Sequence, residues 1–172
     1  MGAHPWHYFV TYQEDLNEAL QLLREWEFLA GRYGKSFGFL ESFEPFIIEN
    51  DGEINPRKTA MNLIKEYGGV EEAISAVVEA AEKDGTASIL DIFCLSEIEE
   101  YDAVCPLQSS ELIEIFGTLY PSVQMVKSTL IHESTNEWVT FWESIGRGTG
   151  RYIIYYEAMV PREIFFAGYS FD

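Results

Sequence analysis

The chain is poor in cysteine, in positive charge and in long apolar runs. Only two of its 172 residues are Cys and three are His. Two thiols cannot make a disulfide scaffold. The chain holds no apolar run of roughly 18–20 residues, so no membrane-spanning helix is expected. Eleven Lys and Arg face 29 Asp and Glu, a formal net charge of −18 with a pI near 4.4. A surface that acidic repels phosphate backbones, which excludes a direct grip on nucleic acid. What is abundant is apolar and aromatic matter, 47% and 15% of the residues. A disordered chain does not carry that much.

The length fits one domain spanning 1–172, with enough interior to fold without a metal or disulfide. MGAHPWHYFV has neither the basic start nor the apolar stretch of a signal peptide. Trp6 stands where myristoylation requires Ser or Thr. The expectation is a cytoplasmic protein whose Cys94 and Cys105 are reduced thiols.

Residues 7–12, HYFVTY, read as a strand. Thr11-Tyr12-Gln13-Glu14 has capping-box spacing, and an apolar stripe follows, so a helix is expected over about 13–30. Residues 34–55 have no clean period, although Phe46–Ile48 would suit a short strand. Asn55-Pro56 opens a helix that Gly68-Gly69 ends. Val70, Ala73, Ile74, Val77, Val78 and Ala81 follow the helical template over 70–84. The run from Ile89 to Leu95 reads as a buried strand, and Ser109 or Ser110 begins a helix to Phe116. Residues 121–131 suit one or two helical turns. A second capping box, Ser134 to Glu137, leads a helix over 136–145. Residues 152–157 and 163–169 read as a hairpin joined by Ala158–Arg162, which contains Pro161. The order of elements predicts an α+β fold with about four strands in a mixed or antiparallel sheet, helices covering part of each face. The expected core includes Leu20, Leu23, Val77, Val78, Trp138, Phe141, Ile153 and Phe166.

Three constellations attract chemistry. Gly146-Arg147-Gly148-Thr149-Gly150-Arg151 is glycine-rich but follows a helix and precedes a strand, the reverse of a phosphate cradle. It reads first as a helix stop and loop. It also forms a positive spot, since no acid lies between Glu143 and Glu157. Asp91 interrupts an apolar run, where a carboxylate must find partners, and either a structural or a ligand-binding role follows. Residues 86–145 hold ten acids against one base, Lys127, with the densest stretch at Glu97, Glu99, Glu100 and Asp102. That stretch reads as a solvated face or as a docking surface for a basic protein.

Other chemistry lacks support. His4 and His7 are three apart in an extended segment and point to opposite faces, and His132 stands alone, so no metal is expected. Cys94 reads as buried and inert and Cys105 as a loop residue without a nearby base. No cofactor motif occurs.

HPWHYFVTYQEDLNEALQLLREWEFLAGRYG, DGTASILDI and RYIIYYEAMVPREIFFAGYSFD together resemble an uncharacterised bacterial domain family. The resemblance implies a bacterial cytoplasmic protein and carries over no catalytic residue. On charge and the lack of a catalytic motif, the preferred function is a protein-binding or inhibitory module of the immunity type, and not an enzyme. The competing reading is a small hydrolase or transferase using Asp91 with Arg147 or Arg151 in one pocket. A third is mimicry of DNA by the acidic surface.

Overall fold

The computed structural model describes residues 4–33, 49–50, 53–81, 85–131 and 135–171. The strands are β1 (Pro5–Thr11), β2 (Glu49–Asn50), β3 (Glu53–Ile54), β4 (Cys94–Leu95), β5 (Ala103–Pro106), β6 (Gly150–Glu157) and β7 (Val160–Tyr169). The helices are α1 (Leu16–Ala30), α2 (Pro56–Tyr67), α3 (Val70–Ala81), α4 (Ser109–Phe116), α5 (Val123–Leu130) and α6 (Asn136–Glu143). Five strands make one mixed sheet in the order β1-β7-β6-β5-β4. The first three in that order are antiparallel, and β6, β5 and β4 run parallel. The fold is α+β as expected, with five strands in the main sheet where about four were expected. The expected strand at Phe46–Ile48, the role of 34–48, residues 82–84 of the third helix, His132 and Ser134 lie outside the described residues.

Local chemistry places the helix ends. Asp15, not Thr11, caps α1, its carboxylate accepting from the N–H groups of Asn17 and Glu18 at 3.0 Å. Thr11 is instead the last residue of β1, so the apparent capping box only begins in the strand and its other residues join β1 to α1. Asn55 caps α2 with Pro56 behind it, and Gly68 ends that helix with a left-handed φ of 88°. Thr135 caps α6 through the N–H of Trp138 at 3.1 Å.

Both sheet faces are covered, which is why the middles of the central strands, Tyr152–Tyr156 and Ile164–Ala167, carry apolar and aromatic residues on both faces. On one face Ile164 and Phe166 of β7 meet Trp6, Leu20, Leu23 and Val104. On the other, Phe165 and Ala167 meet Ile153, Tyr155, Phe141 and Trp142 under α4 to α6. A third cluster joins α1 to α2 and α3 through Phe28, Leu63, Ile74 and Val77. Arg24 of α1 is also interior, 1% exposed. It bonds Gln21 and the Glu71 carboxylate, the latter at 2.9 Å, under the Phe93 ring.

Two expectations about strands fail. The hairpin turn is the pair Ala158-Met159, both with positive φ (49° and 65°), not the five residues 158–162. Pro161 lies within β7 opposite Tyr156, where the register shifts and β1 no longer pairs. A proline without an N–H is tolerated at such an unpaired position. The Tyr156 N–H turns to the Pro121 carbonyl at 3.0 Å. The apolar run 89–95 is not one strand. Ile89–Asp91 is a single 3-10 turn capped by Ser88, followed by the two residues of β4. An apolar run too short to show a period distinguishes a buried turn from a buried strand poorly.

Of the expected core, Leu20, Leu23, Val77, Phe141, Ile153 and Phe166 are buried, while Val78 and Trp138 are half-buried. The enclosed indole of α6 is Trp142, whose Nε1–H donates to the Leu130 carbonyl at 3.2 Å. Phe141→Ala should therefore cost about 3–5 kcal/mol. Trp138→Ala should cost less than half of that. Urea midpoints of the two variants check the order, and equal losses would show that Trp138 is enclosed after all.

Glycine is required where Trp6 crosses the sheet. A methyl at Gly168 would lie 2.2 Å from Trp6 Cζ2 and 2.5 Å from the Thr149 carbonyl oxygen. Backbone cannot yield as a flexible side chain does. Gly168→Ala should lower stability by about 1–3 kcal/mol or more, read as a lower urea midpoint at an unchanged slope.

Candidate functional site

The acidic stretch is the connection between β4 and β5, residues 96–102. These strands are parallel, with Cys94 opposite Ala103 and Leu95 opposite Val104. Parallel neighbours are usually joined by about a dozen residues or more. Seven must climb and return here, so the loop is wound tightly. Asp102 takes a left-handed φ of 60° and its carbonyl accepts from the Phe93 N–H at 2.7 Å. Ser96 Oγ accepts from the Ile98 N–H and donates to Glu100 Oε2 at 3.0 Å. The Tyr101 ring stacks on Phe171, with centroids 5.3 Å apart.

The four acids have different roles. Glu97, Glu99 and Glu100 are exposed and Asp102 is half-buried, its carboxyl pushed up by that burial. Glu99 holds the loop in place. Its Oε1 accepts from the Gly146 N–H at 2.9 Å and from Thr149 Oγ1 at 3.1 Å. The glycine-rich segment 146–151 thus receives a carboxylate from 47 residues away, which sequence spacing cannot show. Gly148 joins the arrangement, its carbonyl accepting from the Asp102 N–H at 2.9 Å.

Arg147 and Arg151, expected near one another, open into different recesses that share Glu99. Exposed Arg147 lines a recess with Glu100, Tyr101 and Thr149. Arg151, 8% exposed, floors a cleft of about 650 Å³ beside Glu97, Ile98, Gln108, Glu111 and Tyr152. Its guanidinium donates to Glu111 Oε1 and to Cys105 Sγ, both at 3.1 Å. Glu111 also closes the start of α4, its Oε2 accepting from the Gln108 N–H at 2.7 Å. Asp91 lines neither recess. It is buried, and its Oδ1 accepts from the Thr86 N–H at 2.8 Å. Phe171 packs between that turn and Gly148. Arg147 and Arg151 are therefore close in chain and open into recesses that both include Glu99, while Asp91 bonds the turn at Thr86.

The cysteines reverse the sequence reading. Cys94 is exposed, and Cys105 is buried in β5. Burial pushes the Cys105 thiol up, outweighing the pull of Arg151 toward thiolate. A neutral buried thiol is a poor nucleophile. Among the described residues no group of three or more His, Cys, Asp and Glu could hold a metal. None of the described helices is long and apolar enough to cross a membrane.

Sequence reasoning missed Ile98 and Tyr101 as exposed residues and Glu111 as the partner of Arg151. The Gln108–Glu111 pair does carry capping-box spacing. No family model, curated protein or solved structure matches the chain.

Alkylation distinguishes the thiols. In the native protein one equivalent of iodoacetamide should react, at Cys94, with Cys105 following only in denaturant. Native labelling of Cys105 at a similar rate would show that the cleft floor is open.

Proposed function

We propose that the chain is a protein-binding module of the inhibitory, immunity type, working in the cytoplasm, that docks a basic partner on loop 96–102. One observation carries the reading. Ile98 and Tyr101 stand 65% and 67% exposed among Glu97, Glu99 and Glu100, on a loop fixed from several sides. Interfaces concentrate their energy in a few aromatic and apolar anchors, and surrounding charge sets encounter rate and register. A rigid loop also binds without a large ordering cost. Loops that are merely solvated have no need of two large apolar groups held outward.

The hydrolase or transferase reading draws no such support. It requires Asp91 with an arginine in one pocket, and Asp91 is engaged at Thr86 instead.

The test separates charge from anchor. Glu97→Gln with Glu100→Gln removes exposed charge and leaves Glu99 to hold the loop. Against a basic protein captured from the source cell, this variant should associate several-fold more slowly at low salt. The difference should vanish at high salt, where screening acts within about 3 Å. Tyr101→Ala should instead speed dissociation by about tenfold. Thermal stability should hardly change in the charge variant. Equal association rates at low salt, together with unchanged dissociation of Tyr101→Ala, would reduce the loop to a solvated face.

A further inference from the structure

A second surface lies on the opposite edge of the sheet and does not depend on the acidic loop. β1 pairs with β7 on one side only, and among the described residues no strand lies on its other side. The phase of its hydrogen bonds is fixed at both ends. The Tyr12 N–H donates to the Arg162 carbonyl, and the His4 carbonyl accepts from the Ser170 N–H. Even-numbered residues of β1 therefore bond β7. His7, Phe9 and Thr11 turn their N–H and C=O groups outward, because successive residues of a strand alternate.

A groove of about 370 Å³ runs along this edge. Its lining includes Tyr8, Phe9, Val10 and Thr11, four consecutive residues whose side chains alternate between the two faces. Such a set lines one groove only where the groove follows the strand's edge. Leu22 and Trp26 of α1 form the opposite wall. They are one helical turn apart and 39% and 71% exposed, an unusual placement for a tryptophan. At the bottom Glu27, 2% exposed, is held by Arg32 and by the Tyr8 hydroxyl at 3.3 Å, so its charge is matched within the chain. The groove's own charges, Glu27 and Arg32, balance one another. Just outside it α1 adds two acids, exposed Glu18 one turn before Leu22 and half-buried Glu25 next to Trp26 in sequence.

We infer that this groove takes an extended peptide segment of a partner protein, which adds a sixth strand to β1, places an apolar side chain against Leu22 and Trp26, and sets basic side chains beside Glu18 and Glu25. Main-chain bonds to His7, Phe9 and Thr11 supply sequence-independent affinity in such strand addition, and alternate side chains supply selectivity. An unprotected edge is otherwise a hazard that proteins cover or blunt. Here the two acids of α1 beside the groove and the chain's formal net charge of −18 suit a basic occupant and disfavour a second copy of the same acidic chain.

The test uses the full chain and a nine-residue peptide with valine at its centre, lysine two residues to each side and threonine elsewhere. In the free protein the Phe9 and Thr11 amides should exchange with deuterium far faster than those of Tyr8 and Val10. The peptide should protect Phe9 and Thr11 specifically. The same peptide with glutamate for lysine should bind at least tenfold more weakly. Thr11→Pro removes one outward N–H without touching the β7 ladder and should weaken binding tenfold or more. Trp26→Ala, at an exposed site that leaves folding intact, should do likewise. Phe9 and Thr11 amides already protected in the free protein would overturn the inference, since the edge would then be covered. So would binding unaffected by both substitutions, or no protection at about 1 mM peptide. Protection that rises with protein concentration alone would assign the edge to a second copy and overturn the partner.

Discussion

The structure depends on one close packing, the indole of Trp6 lying across two paired glycines. Gly150 of β6 and Gly168 of β7 are opposite one another, and Trp6 is opposite Gly168 on β1. A methyl on Gly150 would lie 2.6 Å from Val104 and 2.8 Å from Trp6. The bare backbone thus makes a shallow saddle, and one side chain spans β1, β7, β6 and the start of β5. Trp6 is 4% exposed, and among the described residues its Nε1–H has no hydrogen-bond partner. An unmet buried donor costs about 1–3 kcal/mol. Burial of the ring, at about 25 cal/mol per Å² over 150–250 Å², offsets that cost with a surplus. Glycine in a strand is ordinarily a weakness; at this point it makes room for the tryptophan.

The same corner connects the sheet to the candidate site. Segment 146–149 leads into Gly150, accepts Glu99 from the acidic loop, and rests on Phe171, which stacks on Tyr101. Loop 96–102 is therefore presented by the rigid part of the protein, although five of its seven residues are polar. Its shape comes from the short parallel return between β4 and β5, which leaves seven residues little choice of path.

Much of the fold was legible because its signals are local. Asn55-Pro56 and Gly68 bracket α2 through bonds within four residues. The stripe of α3 and the apolar double faces of β6 and β7 follow from period alone. What failed was decided elsewhere in the chain. Pro161 looked like a turn because a proline interrupts a ladder, yet the ladder on that side had already ended. Ile89 to Leu95 looked like a strand because its neighbours on every side are apolar. Cys94 and Cys105 exchanged places for the same reason: the first lies in a two-residue edge strand and the second in a covered one. At the site, the charge of 97–102 was visible in sequence. The division of labour was not, because Glu99 finds its partners at 146 and 149 and Arg151 finds Glu111.

The sheet order has a consequence for how the chain is made. β1 belongs to the start of the described chain, yet its partner is β7, with Pro5 opposite Tyr169. Between them, β6 and β7 occupy the middle of the sheet and are synthesised after every helix. A ribosome releases β1 and α1 long before anything can pair with them, and closing so long a loop carries a large entropic cost before any contact rewards it. Until then Trp6 has no glycine saddle to rest on, and the apolar side of α1 has only α2 and α3. Assembly of the sheet is thereby deferred until β7 has been made, with the helical pair as the part able to form early. A chain stalled or cut before residue 150 would keep its aromatic first strand exposed, the kind of segment that chaperones bind and proteases remove.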